Sequence, residues 1–184
     1  TPPPRPKPAD VAAALRELYQ ERGYLRAAVT PARPIIEHDP DRATLVLQVV
    51  AGPLARLART EIGGTPIEPV ARVQERLRVE AGEPYQPGDL RARLAEYVAW
   101  MRRRGHYQAV AHDQPPRFNA DQTEVELRVD VRPGPVVSVQ FTRDPLPAGK
   151  RDELVPVERE GSVDEDLLED AAHGIADYLR EEGY

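Results

Sequence analysis

LRELYQERGY, Leu15–Tyr24, is an amphipathic helix that runs into a glycine and an aromatic residue. The same shape returns in YVAWMRRRGHY, Tyr97–Tyr107, and again in IADYLREEGY, Ile175–Tyr184. A second marker, Ala51-Gly52-Pro53, returns as Pro133-Gly134-Pro135. The interval from Gly23 to Gly105 equals the interval from Gly52 to Gly134 (105 − 23 = 134 − 52). Two unlike motifs with one period, too long for a helical solenoid repeat, indicate small domains joined in tandem. Gly183 follows Gly105 by a slightly shorter interval and marks a third copy. In each copy the glycine is expected to supply the left-handed turn that ends a helix.

One full unit reads between Pro53 and Pro135. Leu54, Leu57 and Ile62 suggest a first strand over Leu54–Ile62, ended by a turn at Gly63-Gly64. Thr65 and Glu68 have capping-box spacing and predict a helix start, with Val70, Val73 and Leu77 as its apolar face and Ala81-Gly82 as its stop. Leu90, Leu94, Tyr97, Val98 and Met101 fall at helical spacing and predict a second helix with one buried stripe. A second strand over Gln108–Phe118 is broken by Pro115 and Pro116. A third follows over Thr123–Val131, where Val125, Leu127, Val129 and Val131 alternate with charged residues. Proline cannot donate to a ladder, so the second strand is placed at the sheet edge and the third at its centre. The outcome is an α+β sandwich: β-α-α-β-β, a three-stranded mixed sheet covered on one face by two helices.

The first copy repeats the pattern, with Pro31 and Pro34 in its second strand and Thr44–Val50 as its third. Residues 1–52 then hold the C-terminal part of one domain, 53–134 a complete domain, and 135–184 the N-terminal part of another. In that last part Pro156 makes the first helix irregular, a loop or short turn, while Ser162 and Glu165 open the second at capping-box spacing. The leading TPPPRPKP reads as an extended polyproline linker, the mark of a piece of a longer protein.

Composition narrows the function. Cysteine is absent, which excludes disulfides, thiolate metal sites and cysteine nucleophiles. A net charge of −6 disfavours a general nucleic-acid binder. No apolar run approaches the roughly 18 residues of a membrane-spanning helix. His106 and His112, six apart on a strand, lie roughly 20 Å from one another, too far to share an ion. The pairs Glu169-Asp170 and Glu181-Glu182 have no convergent nucleophile and read as solvated helix faces. Arg102, Arg103 and Arg104 close a helix at the end where cations are favourable. No catalytic residue, metal or cofactor is expected.

GYLRAAV (Gly23–Val29), GHYQAVA (Gly105–Ala111), the terminal Gly183-Tyr184 and the AGP and PGP endings resemble POTRA domains, and their tandem arrangement resembles the BamA/TamA-type outer-membrane protein assembly family. His106 stands where the first copy has Tyr24, and Gly63-Gly64 where many relatives carry Gly-Asn. The resemblance implies a periplasmic array attached to the outer membrane through a β-barrel outside this chain. It implies no catalysis, and as partners unfolded outer-membrane proteins, accessory assembly subunits and neighbouring POTRA domains. It also implies binding by strand addition to an edge, here Tyr107, Gln108, Ala109, Val110, Ala111 and His112. Two other readings stand beside it: a passive spacer or fixed-partner module of a two-partner secretion-type transporter, and a periplasmic enzyme or ligand-binding α/β protein.

Overall fold

The computed structural model describes residues 7–31, 35–38, 41–138, 147–155 and 165–183. In chain order the elements are helix α1 (Pro8–Glu21), strands β1 (Ala28–Pro31), β2 (Ile35–His38), β3 (Asp41–Thr44), β4 (Leu47–Val50) and β5 (Arg56–Gly64), helices α2 (Val70–Leu77) and α3 (Pro87–Arg102), strands β6 (Val110–Asp113), β7 (Arg117–Phe118) and β8 (Glu124–Arg132), then helices α4 (Ala148–Leu154) and α5 (Glu165–Glu181).

The alternating run of β8 puts it at the centre of the 56–132 unit. Val125, Val129 and Val131 are wholly buried and Leu127 nearly so, while Glu126 and Arg128 face water. β5 pairs with β8 in parallel on one side; β6 and β7 lie end to end on the other side, antiparallel to it. The sheet is therefore mixed, and the second strand is its edge. Val73 and Leu77 of α2, with Leu90, Leu94, Tyr97 and Met101 of α3, bury against one face. Burial of each such side chain contributes about 1.5–3 kcal/mol. The opposite face stays wet, where Arg128 lies 3.4 Å from both Glu61 and Asp130.

Several local expectations are corrected. β5 starts two residues late and runs through Gly63 and Gly64, which pair with Asp130 and Val131 rather than forming a turn. The Thr65–Glu68 capping box does not form. The Thr65 amide donates to the Val131 carbonyl at 3.0 Å and so extends the sheet, and helix α2 begins only at Val70 after Pro69. Proline disfavours helical geometry in the residue before it, which delays the start. Glu68 instead takes the Arg76 guanidinium through two bonds of 2.9 and 3.1 Å. The stop of α2 is Arg78 in the left-handed region (φ 51°), not Ala81-Gly82.

The expected Thr44–Val50 strand divides into β3 and β4, and the strand before it into β1 and β2. Pro34 lies outside the described residues. So do Pro156 and Ser162, while α4 supplies a regular seven-residue helix ahead of Pro156. Among the described residues no helix is long and apolar enough to cross a membrane.

The repeat is visible atom by atom. Ala28 pairs with Val50 as Val110 pairs with Arg132, the same register displaced by one repeat. The carbonyl of Gly23 accepts the Ala55 amide at 2.9 Å, and that of Gly105 accepts the Val137 amide at 2.8 Å. Gly23 and Gly105 have φ of 92° and 87°. These values are open to glycine and costly to most other residues. A Cβ on Gly23 would also stand 2.3 Å from the Tyr85 carbonyl oxygen. Alongside this bond, Glu21 of α1 pairs with Arg91 of α3.

At Gly82 φ is 89° but no atom lies within 4 Å of such a Cβ. Gly82→Ala is therefore expected to cost about 1–2 kcal/mol through φ alone. Gly23→Ala should cost more, because the Tyr85 backbone must move as well. Denaturant unfolding followed by Trp100 fluorescence measures both; equal losses would remove the contact from the account.

Tyr97 is 1% exposed and stacks on Trp100 with ring centroids 5.5 Å apart. The Arg76 and Arg104 guanidiniums lie 4.3 and 4.0 Å from the Trp100 centroid, one step further out. Burial, reinforced by the nearby Glu68 carboxylate, pushes the Tyr97 phenol up to about 12. A phenol in the unfolded chain ionises near 10. The folded chain thus holds this proton to higher pH, and the stability it represents is intact below about pH 10 and lost as pH rises toward 12. Tyr97→Phe is expected to flatten this alkaline slope in unfolding measurements made across that range; an unchanged slope would assign it to other groups.

Candidate functional site

The free edge of β6 is the candidate site, and its hydrogen-bond parity follows from one bond. The Gln114 amide donates to the Arg128 carbonyl at 2.9 Å, in the register that continues Val110↔Arg132 and His112↔Asp130. In an antiparallel ladder, bonded and non-bonded pairs alternate. Val110 and His112 therefore bond inward to β8, and the amides and carbonyls of Ala111 and Asp113 point outward. Among the described residues no strand pairs with that outer side. The first copy gives an independent check. Pro31, the counterpart of Asp113, sits at an outward-facing position, where a strand tolerates proline. The earlier edge is thereby blunted and the β6 edge is not.

The predicted residues divide between two places. Val110, Ala111 and His112 lie on β6. Tyr107 packs instead on the cluster of Val155, the residue after α4, and Ala171 of α5. Gln108 lies beside Gly134, whose Cβ would stand 3.1 Å from it. Ala109 is buried, its amide bonded to the His106 carbonyl at 3.0 Å, and the His106 ring nitrogen Nδ1 lies 3.2 Å from the Gly134 carbonyl oxygen. Gly52 and Gly134 have φ of 74° and 72°, and Gly183 has 91°. Three of the six edge positions thus lie before β6, beside Gly134 and the Val155–Ala171 cluster. Asp113 was missed, because only the ladder parity identifies it.

Side chains divide along β6 as well. Val110 and His112 point to the open face, and Val110 is 52% exposed. Beside His112, the Asp130 carboxyl is held below the usual carboxylate value, first by the Gln114 amide and then by Arg128 and His112. Among the described residues no group of three or more histidine and acidic side chains is arranged to hold a metal ion.

No protein-family model matches the chain, and no curated protein matches it. The solved structures it is similar to include POTRA domains of BamA. The third to fifth POTRA domains of BamA from Haemophilus influenzae are 17% identical, with a TM-score of 0.43 over 94% of this chain and 68% of that one. BamA from Haemophilus ducreyi lacking its first three POTRA domains is 15% identical, with a TM-score of 0.43 over 67% of this chain and 22% of that one. The N-terminal domain of Omp85 from Thermosynechococcus elongatus is 12% identical, with a TM-score of 0.39 over 91% of this chain and 71% of that one. Each is a likeness of fold and nothing more.

The parity has a direct consequence. Ala111→Pro removes an amide that has no partner in the sheet, and its effect on the melting temperature should be small. Val110→Pro removes a ladder bond and should destabilise by about 1–3 kcal/mol. Thermal unfolding of the two variants checks this, and the reverse order would invert the assignment of outward groups.

Proposed function

We propose that this chain is a run of POTRA units, divided near residues 52 and 134, that works as a non-catalytic docking scaffold in the periplasm. The parent protein carries an outer-membrane β-barrel outside this chain. Its partners are unfolded outer-membrane proteins, accessory assembly subunits and the neighbouring units. They dock by adding a strand to β6. The observation that carries the reading is the pair of outward amides and carbonyls at Ala111 and Asp113, left open where the preceding copy has Pro31. Backbone pairing of this kind gives affinity with little sequence preference, which suits a receiver of many extended clients. The repeat motifs and the β-α-α-β-β order supply the rest of the support.

The joint at Gly23 and Gly105 favours a second reading. A bond repeated between successive units fixes their spacing, as a passive spacer or a fixed-partner module of a secretion-type transporter requires.

NMR titration with an extended peptide from an outer-membrane protein separates the two. Under the docking reading, shifts concentrate on Val110–Asp113 and disappear in Ala111→Pro while the fold is kept. Shifts confined to the helices would defeat strand addition, and no binding at all would leave the spacer.

A further inference from the structure

Beyond the end of β6 the edge passes into a cleft of about 350 Å³ between the first copy and the 56–132 unit. β7, which carries Phe118, continues on the same side of β8 as β6, so an added strand that runs past Asp113 reaches this cleft. Its floor is apolar: Leu25, Pro87, and the rings of Tyr85 and Phe118, which meet edge to face at 6.1 Å. Its rim carries Glu17 and Glu21 from α1. Tyr85 is 5% exposed, its side chain makes no hydrogen bond among the described residues, and it lines the opening. Asp113 lies near enough for its charge to act on both Tyr85 and Arg91.

The charges here do not balance. Glu17 and Glu21 line the cleft, and Glu21 is already bonded to Arg91. Glu17 is exposed and belongs to no ion pair among the described residues. A purely apolar side chain would take water from these carboxylates without replacing it, and an acidic one would be repelled. A side chain with an apolar stem and a cationic head satisfies both parts, the stem on Leu25 and Pro87 and the head against the exposed Phe118 ring and beside Glu17.

We infer that this cleft receives an arginine or lysine side chain of the segment bound along β6, and so selects extended clients with a basic residue at one register. The inference rests on the strand-addition reading. At the same time it makes the bound segment span two copies, because Glu17 and Leu25 belong to the first and Tyr85 and Phe118 to the second.

The test uses the full chain and a set of fluorescent ten-residue peptides of alternating threonine and valine, with one arginine moved through successive positions and glutamine or glutamate in its place as controls. Arginine at one register is expected to bind about five- to tenfold tighter than glutamine, with glutamate weakest. Higher salt should reduce the advantage. Glu17→Lys, at an exposed helix position, should abolish the preference for arginine and leave binding of the glutamine peptide unchanged. Equal binding of arginine and glutamine at every register, or a preference that survives Glu17→Lys, overturns the inference while strand addition stands. No binding of any peptide overturns both readings together.

Discussion

The bond between the carbonyl of a left-handed glycine and an amide at the start of the next unit is the constraint on which the arrangement depends. At Gly23 and Gly105 the backbone has to leave a helix in a conformation closed to most residues, and in doing so it turns a carbonyl toward the chain that opens the following copy. Ala55 and Val137 take up that carbonyl at equivalent positions. The helix end and the segment that follows the hairpin are thus joined at one carbonyl, and the same bond is made at both Gly23 and Gly105. A side chain on Gly23 would meet the Tyr85 backbone, so the same glycine that bends the chain also lets the units approach.

The sheet then determines what is left open. β8 is occupied on both sides, by β5 in parallel and by β6 and β7 antiparallel. The helices cover one face. Among the described residues the outer sides of β5 and β6 have no strand partner, apart from a single bridge between Arg56 and Pro84 at the start of β5, and on β6 the ladder leaves two residues with free backbone groups. Pro31 occupies the matching place in the first copy and Asp113 in the second, so the two edges differ in the backbone donors they leave open. β6 starts beside the Gly105 bond, and β7, which continues along the same side of β8, ends at the cleft lined by Leu25, Tyr85 and Phe118.

The large features were legible in the sequence because they are periodic. Val125 to Val131 alternate without exception, and Leu90, Leu94, Tyr97 and Met101 keep helical spacing, so burial follows directly. The central place of the third strand followed from where proline can donate no bond. Local boundaries were less legible, because each depends on a competing partner. Thr65 looked like a cap, but its amide was claimed by Val131 across the sheet. Arg78 stops α2 in a conformation that no composition rule assigns to arginine. At the site, the strand was visible and its parity was not. Which amides face outward depends on pairing with a strand far along the chain, and that left Tyr107, Gln108 and Ala109 before β6 and brought in Asp113.

The claim that successive units share one joint is tested most directly by hydrogen exchange at Ala55 and Val137. Both amides lie outside any regular strand, where exchange is ordinarily fast. If the glycine carbonyls hold them, both exchange far more slowly than the neighbouring amides of their own segments, and Ala55 loses its protection when Gly23 is replaced by alanine. If Ala55 and Val137 exchange as freely as an unpaired loop, the units are not fixed by this bond and the account of the repeat is wrong.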